Sequence, residues 1–205
     1  MNTQIALHWL RRRWYVTAVV VLCVTAGALE LRDTYAAANE KLTLPGVENF
    51  GRLTAHFYRG AQPRVDAYAT LKAIGIDTVI RLSTGEEFIE GERERVEALG
   101  MRFISLPWRA ADTPTAEQVL TFLTLLHDHP ERTVFVHCRE GVDRTGVMVA
   151  LYRVALDHWP VDRAIAEMKA FHYRYIFHPH LQHYVEGFPG TLATNPMLQA
   201  LLAGN

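Results

Sequence analysis

The chain has 205 residues, 49% of them hydrophobic and 21% charged, with a formal net charge of -1. That suffices for one globular domain of ordinary size with short extensions. It excludes a compositionally disordered chain and a protein that binds polyanions through its overall charge, so nucleic acid is not expected as a partner. The two cysteines, Cys23 in an apolar run and Cys138 in a glycine-containing loop, offer no disulfide framework.

Arg11, Arg12 and Arg13 precede an apolar stretch from Trp14 to Leu29. Residues 1–31 therefore read as a membrane anchor or a signal segment, because the stretch falls between a signal-peptide core and the roughly 18 to 20 residues of a comfortable span. Ala26, Gly27 and Ala28 fit cleavage near Ala28, whereas Trp14 and Tyr15 beside the arginines suit an uncleaved interfacial anchor, and an ordinary buried helix is the third reading. Under either export reading the arginines stay in the cytoplasm and the domain lies on the periplasmic or extracellular side. Residues 32–48, with charge, alanine and a Pro45-Gly46 turn, read as a linker.

Strand and helix then alternate. A short strand is expected over 56–60 (HFYRG) and a helix over 65–74, where Ala67, Leu71 and Ile74 share a face and Gly75 ends it. The β-branched run 77–82 (DTVIRL) predicts a second strand. A helix over 86–99, capped by Ser83 or Thr84, would turn Phe88, Ile89, Val96 and Leu99 inward and leave Glu92, Arg93, Glu94 and Arg95 in water. A strand over 101–107, a helix over 113–126 and a strand over 133–137 follow. Helices are then expected from Thr145 to about Leu156 and near 161–171 and 180–186, with 191–205 as a tail. Strands separated by helices of 10 to 15 residues imply βαβ units. The expected fold class is thus α/β, with a mainly parallel sheet of four to five strands flanked by helices and a ligand site at the strands' carboxyl ends.

Cys138 stands at one such end, in HCREGVDRTG. A short loop running from a strand into a helix turns backbone N–H groups inward, and the helix N-terminus adds partial positive charge, so the segment is suited to a phosphate dianion. Gly141 lets the loop curl, and the same field favours a thiolate at the cysteine. Arg144 offers a planar fork matched to two phosphate oxygens.

The segment resembles the signature HCxxGxxR[ST]G of the protein tyrosine phosphatase superfamily, closest to compact dual-specificity-like bacterial members, with a domain over about 49–190. By average residue frequencies such a match arises by chance on the order of once per hundred thousand chains of this length, which leaves little room for a cysteine that merely packs at a strand end. The resemblance implies a phosphatase-type fold and hydrolysis of phosphomonoesters. Cys138 becomes the phosphocysteine nucleophile and Arg144 the phosphate clamp, with Arg139, Glu140, Gly141, Val142 and Asp143 supplying backbone donors. Thr145 would hydrogen-bond the thiolate or, alternatively, cap the helix, and His137 would hold the loop from behind.

The resemblance also requires an acid to protonate the leaving oxygen. In the loop 106–114 (LPWRAADTP) Asp112 is the only carboxylate and the first choice, although it could simply cap the next helix. The loop departs from the Trp-Pro-Asp of classical tyrosine phosphatases. Asp143 is the alternative acid, or else a partner of Arg144. Arg59 either reaches the pocket or lies at the surface. The loop's Arg139, Glu140 and Asp143 sum to one negative charge before Arg144 is counted. That repels a polyanion and favours protein phosphotyrosine, with dual specificity open, over a phosphoinositide or inositol phosphate. A rhodanese-like sulfurtransferase and a non-catalytic phospho-ligand module are the readings from other classes. No cofactor or metal is expected, His178, His180 and His183 reading as wet residues around the Pro179 turn.

Overall fold

The computed structural model describes residues 40–203, apart from the side chains of residues 40 and 86–88. The expected anchor or signal over 1–31 therefore lies outside the described residues. Among the described residues, no helix is long and apolar enough to cross a membrane.

The elements in chain order are β1 (Glu40–Lys41), β2 (Gly51–Arg52), β3 (Phe57–Ala61), α1 (Ala67–Ala73), β4 (Thr78–Arg81), α2 (Glu86–Ala98), β5 (Arg102–Ser105), α3 (Ala116–His127), β6 (Val134–Cys138), α4 (Asp143–Ala155), α5 (Val161–Ala170), α6 (Pro179–Thr194) and α7 (Pro196–Ala203). The sheet has six strands in the order β1-β2-β3-β6-β4-β5. Pairing is parallel across β3, β6, β4 and β5, and β2 runs antiparallel to β3. The four long strands match those expected. The two-residue edge strands were not legible, because so short a run has no periodicity to read.

Strand β6 inserts between β3 and β4. Its register, Ala61↔Cys138 on one side and Arg81↔His137 on the other, puts Cys138 at the carboxyl end of the middle of the sheet. Alternation along the strands builds two cores. Ile80, Val134 and Val136 pack with Val119, Phe122, Val147, Leu151, Leu181 and Phe188 on one face, and Val79, Phe103 and Phe135 pack with Tyr68, Leu71, Ile89 and Val96 on the other. Helices α3 to α7 thus cover one face and α1 and α2 the other, as expected of βαβ units.

Three local expectations change. Helix α2 begins after Gly85, whose φ of 106° makes it the N-cap with no side-chain bond, so neither Ser83 nor Thr84 caps it. Helix α3 starts at Ala116 behind a capping box in which Thr115 accepts from the Gln118 amide and the Gln118 side chain accepts from the Thr115 amide. Residues 191–203, read as a tail, are largely helical, and α7 buries Leu198 against the core.

Candidate active site

Strand β6 delivers a buried Cys138 at its last residue, and α4 begins at Asp143. Between them the loop is forced tight. Gly141 has φ of 67°, and a Cβ there would lie 2.3 to 2.5 Å from Gly60 and Ala61 backbone atoms, so only glycine fits. The loop's carbonyls are tied to the scaffold behind it. The Arg139 carbonyl accepts from the Gln62 amide at 3.2 Å. The Gly141 carbonyl accepts from Arg59 Nη2 and Asn49 Nδ2, each at 2.9 Å. The amides of residues 139–145 donate to no protein group among the described residues. With carbonyls held back and amides left over, at a helix N-terminus, the loop is an anion cradle.

Arg59 is fully buried, so it is not a surface residue. It stacks over the Phe171 ring at 4.0 Å. Burial lowers its pKa to about 10, against the opposing pull of Glu167 and Cys138, which leaves it charged at neutral pH behind the loop. Its role is a brace rather than a reach into the pocket. Asn49, also in left-handed conformation with φ of 49°, shares that role and had no signal in sequence.

Arg144 Nη1 donates to the Trp108 carbonyl at 3.1 Å, linking the cradle to the loop that carries Asp112. That loop is held elsewhere by Gln118 Nε2 to the Pro107 carbonyl at 2.8 Å and by Tyr184 Oη to the Pro114 carbonyl at 3.3 Å. His180 Nε2 lies 3.2 Å from the Ala110 carbonyl, so it is a contact of this loop and not merely a wet turn residue. Trp108 is buried, whereas Asp112 is exposed and its carboxylate forms no hydrogen bond or ion pair among the described residues. Thr115 performs the capping that Asp112 would otherwise have explained.

Asp143 does not pair with Arg144. It is buried and accepts from Arg174 Nη2 at 2.5 Å, Arg174 Nε at 3.1 Å and the Arg174 amide at 3.1 Å. Arg174 Nη1 also meets Glu140 Oε2 at 2.7 Å. These bonds raise the Arg174 pKa, Asp143 contributing most. Both acidic side chains of the loop thus share one cation from outside it, Arg174, which cancels the one net negative charge counted from the loop alone. Thr145 is not the helix cap, which is Val142. Its hydroxyl is fully buried with no partner among the described residues, so the expected bond to the sulfur is not formed.

Behind the loop, His137 Nε2 lies 2.9 Å from Glu92 Oε1. Glu92 also accepts from Tyr68 Oη at 2.6 Å, from Gln62 Nε2 at 2.8 Å and from Arg81 Nη1. Burial by itself would raise the Glu92 pKa. The nearby His137, together with Tyr68 and Gln62, outweighs burial and brings it down to about 2. The expected solvated charge run on α2 is therefore wrong at Glu92, which is 1% exposed. Its signal was spacing: it sits three residues after Ile89 and four before Val96, both buried.

A cavity of about 580 Å³ opens beside the cradle, lined among others by Arg81, Glu92, Arg95, Arg139 and Arg144. A thiol at the centre of a parallel sheet, a loop of free amides and an arginine at the start of the following helix define a cysteine-based phosphatase of the protein tyrosine phosphatase superfamily.

Comparison with known proteins agrees. The chain belongs to the family described as DSP-PTPase phosphatase fused to NAD+ kinase, whose model matches residues 46–174. It is 29% identical over 167 residues to the dual specificity protein phosphatase TpbA of Pseudomonas aeruginosa, covering 80% of this chain and 72% of that one. It is 30% identical over 129 residues to the putative tyrosine-protein phosphatase OCA1 of Mycosarcoma maydis, covering 60% and 79%. The crystal structure of P. aeruginosa TpbA superposes with a TM-score of 0.63 at 26% identity, over 74% of this chain and 91% of that one. A serine-for-cysteine form of TpbA has been crystallised in complex with pTyr, and it superposes with a TM-score of 0.63 at 23% identity, over 83% and 98%. The protein is an enzyme, a phosphatase of the tyrosine phosphatase type.

Proposed function

We propose that this enzyme dephosphorylates protein phosphotyrosine, with dual specificity open, through a phosphocysteine intermediate. The observation that carries the reading is the cradle itself: a buried thiol at the end of β6, facing amides that no protein group uses, beside Arg144. TpbA, crystallised with pTyr, supports the substrate class.

In the first step the Cys138 thiolate attacks phosphorus and the bond to the tyrosyl oxygen breaks, while Asp112 gives its proton to that leaving oxygen. Asp112 suits the task because it is exposed and unpartnered, whereas Asp143 is committed to Arg174. In the second step a water loses its proton to the Asp112 carboxylate and attacks phosphorus. The sulfur–phosphorus bond breaks, releasing phosphate and the thiolate, to which the free Thr145 hydroxyl can then donate. Arg144 and the loop amides hold the equatorial oxygens throughout.

The test is phosphate release from phosphotyrosine, phosphoserine and inositol phosphate substrates, with Cys138→Ser as control. Phosphotyrosine turnover by the wild type and none by the variant is expected, and activity surviving in Cys138→Ser would sink the mechanism. A phosphorylated intermediate trapped on Cys138 by rapid acid quench is the direct readout. From Arg11 to Arg13 and the apolar run after them we further propose that the domain works outside the cytoplasm, membrane-anchored or released by cleavage near Ala28. Cell fractionation with a size comparison tests both forms.

A further inference from the structure

The cavity beside the cradle is more cationic than one phosphate requires. Of its ionisable side chains, Arg81 and Glu92 are bonded to each other, which leaves Arg95, Arg139 and Arg144. None of these three has a carboxylate partner among the described residues. Arg144 contacts only backbone carbonyls. The acidic side chains nearest in sequence to Arg139 and Arg144, Glu140 and Asp143, are both drawn to Arg174 and do not line this cavity.

A phosphomonoester at pH 7 carries about 1.5 to 2 negative charges, and the cradle already meets it with Arg144 and a helix N-terminus. Arg95 and Arg139 are left over. Both are exposed, so they stand at the rim rather than on the floor of the cavity. Arg95 comes from α2 and Arg139 from the cradle loop, so two separate elements converge on the space beside the scissile phosphate. A rim position suits a side chain on a neighbouring residue of an extended peptide, since each residue advances the chain by about 3.3 to 3.6 Å.

We infer that Arg95 and Arg139 form a subsite for a second anionic group of the substrate, an acidic side chain next to the phosphotyrosine of a peptide. The inference rests on the proposed phosphotyrosine activity and names its preferred sequence context. Exposed charge pairs are weak, so the expected selectivity is modest, about three- to tenfold for the pair of arginines together.

The experiment measures kcat/KM on phosphotyrosine peptides with aspartate, alanine or lysine at the adjacent positions, and on an inositol bisphosphate, for the wild type, Arg95→Ala and Arg95→Glu. The expected result is a wild-type order of aspartate over alanine over lysine that flattens in Arg95→Ala and reverses in Arg95→Glu. The alanine-flanked peptide should be turned over equally by the wild type and Arg95→Ala, and all preferences should shrink in 0.5 M salt. Peptide turnover without preference for acidic neighbours, or a preference untouched at Arg95, overturns the subsite alone. An inositol bisphosphate that outpaces every peptide and depends on Arg95 overturns the peptide as occupant. No turnover of any phosphotyrosine peptide overturns the proposed function and this inference with it.

Discussion

The cradle over 138–145 and the loop over 106–114 meet where Arg144 donates to the Trp108 carbonyl, and they are built in opposite ways. Behind the cradle the supports are buried or half-buried: Arg59 and Asn49 on the Gly141 carbonyl, and Glu92 under His137 with Tyr68, Gln62 and Arg81 around it. The Asp112 loop is tied through its backbone carbonyls at 107, 108, 110 and 114, and its one carboxylate is left in water. The difference follows from what each part must do. A phosphate site works best when its donors are fixed in advance, whereas an acid must give a proton to the leaving group and take one from water within each turnover.

If that contrast holds, changes behind the cradle should cost stability and changes in the acid loop should cost rate. The largest effect is expected of Gly141→Ala. A Cβ meeting backbone at 2.3 Å, at a positive φ, should cost about 3 kcal/mol or more, a fall of roughly 6 to 12 °C in Tm, together with activity. Calorimetry checks it, and an unchanged Tm would show that the loop yields.

Next comes Glu92→Gln, which strips the charge from a buried network and should cost about 3 kcal/mol at neutral pH. The sign with pH follows from the folded pKa of about 2 against an ordinary 4.5. Because the folded value is depressed, the Glu92 contribution is present above about 4.5 and is lost as pH falls toward 2. The Tm gap between wild type and variant should therefore close across that window. A gap that stays constant would assign the loss to packing.

Arg59→Met should be the exception behind the cradle. Losing a buried cation relieves its desolvation, and Asn49 still holds the Gly141 carbonyl, so stability should change by about 1 kcal/mol or less in either direction. The cradle loses a brace and a nearby positive charge, so kcat/KM should fall about tenfold. A stability loss as large as that of Glu92→Gln would make Arg59 a structural residue only.

The smallest stability effect is expected of Asp112→Asn, within about 0.5 kcal/mol, because the side chain is exposed and unpartnered. Its kcat should nevertheless drop about 100-fold on phenyl-ester substrates and lose the alkaline limb of the pH–rate profile. If Asp143→Asn removed that limb instead, the assignment of the acid would reverse.

The signature segment was legible as a strand, loop and helix, since Cys138, Gly141, Arg144 and Thr145 lie within eight residues, whereas neither role expected of Thr145 is seen. Glu92 was misread because four charged residues in a row suggest a wet face, although its place between Ile89 and Val96 on the helix already pointed inward. The loop's charge was misjudged for a different reason: the partner of Glu140 and Asp143 is Arg174, some thirty residues on, and no spacing rule joins them.

What the amino-acid order settled by itself is therefore whatever is local: the alternating strands and helices, the strand–loop–helix around Cys138, and the chemistry a thiol and an arginine can perform there. What tertiary structure alone decided is who neutralises whom. Arg59 became a buried brace, Asp143 was withdrawn into an ion pair, and Arg95 and Arg139 were left facing the cavity. Periodicity and propensity act over a few residues, whereas charge pairing and burial depend on distances that only the packed chain defines.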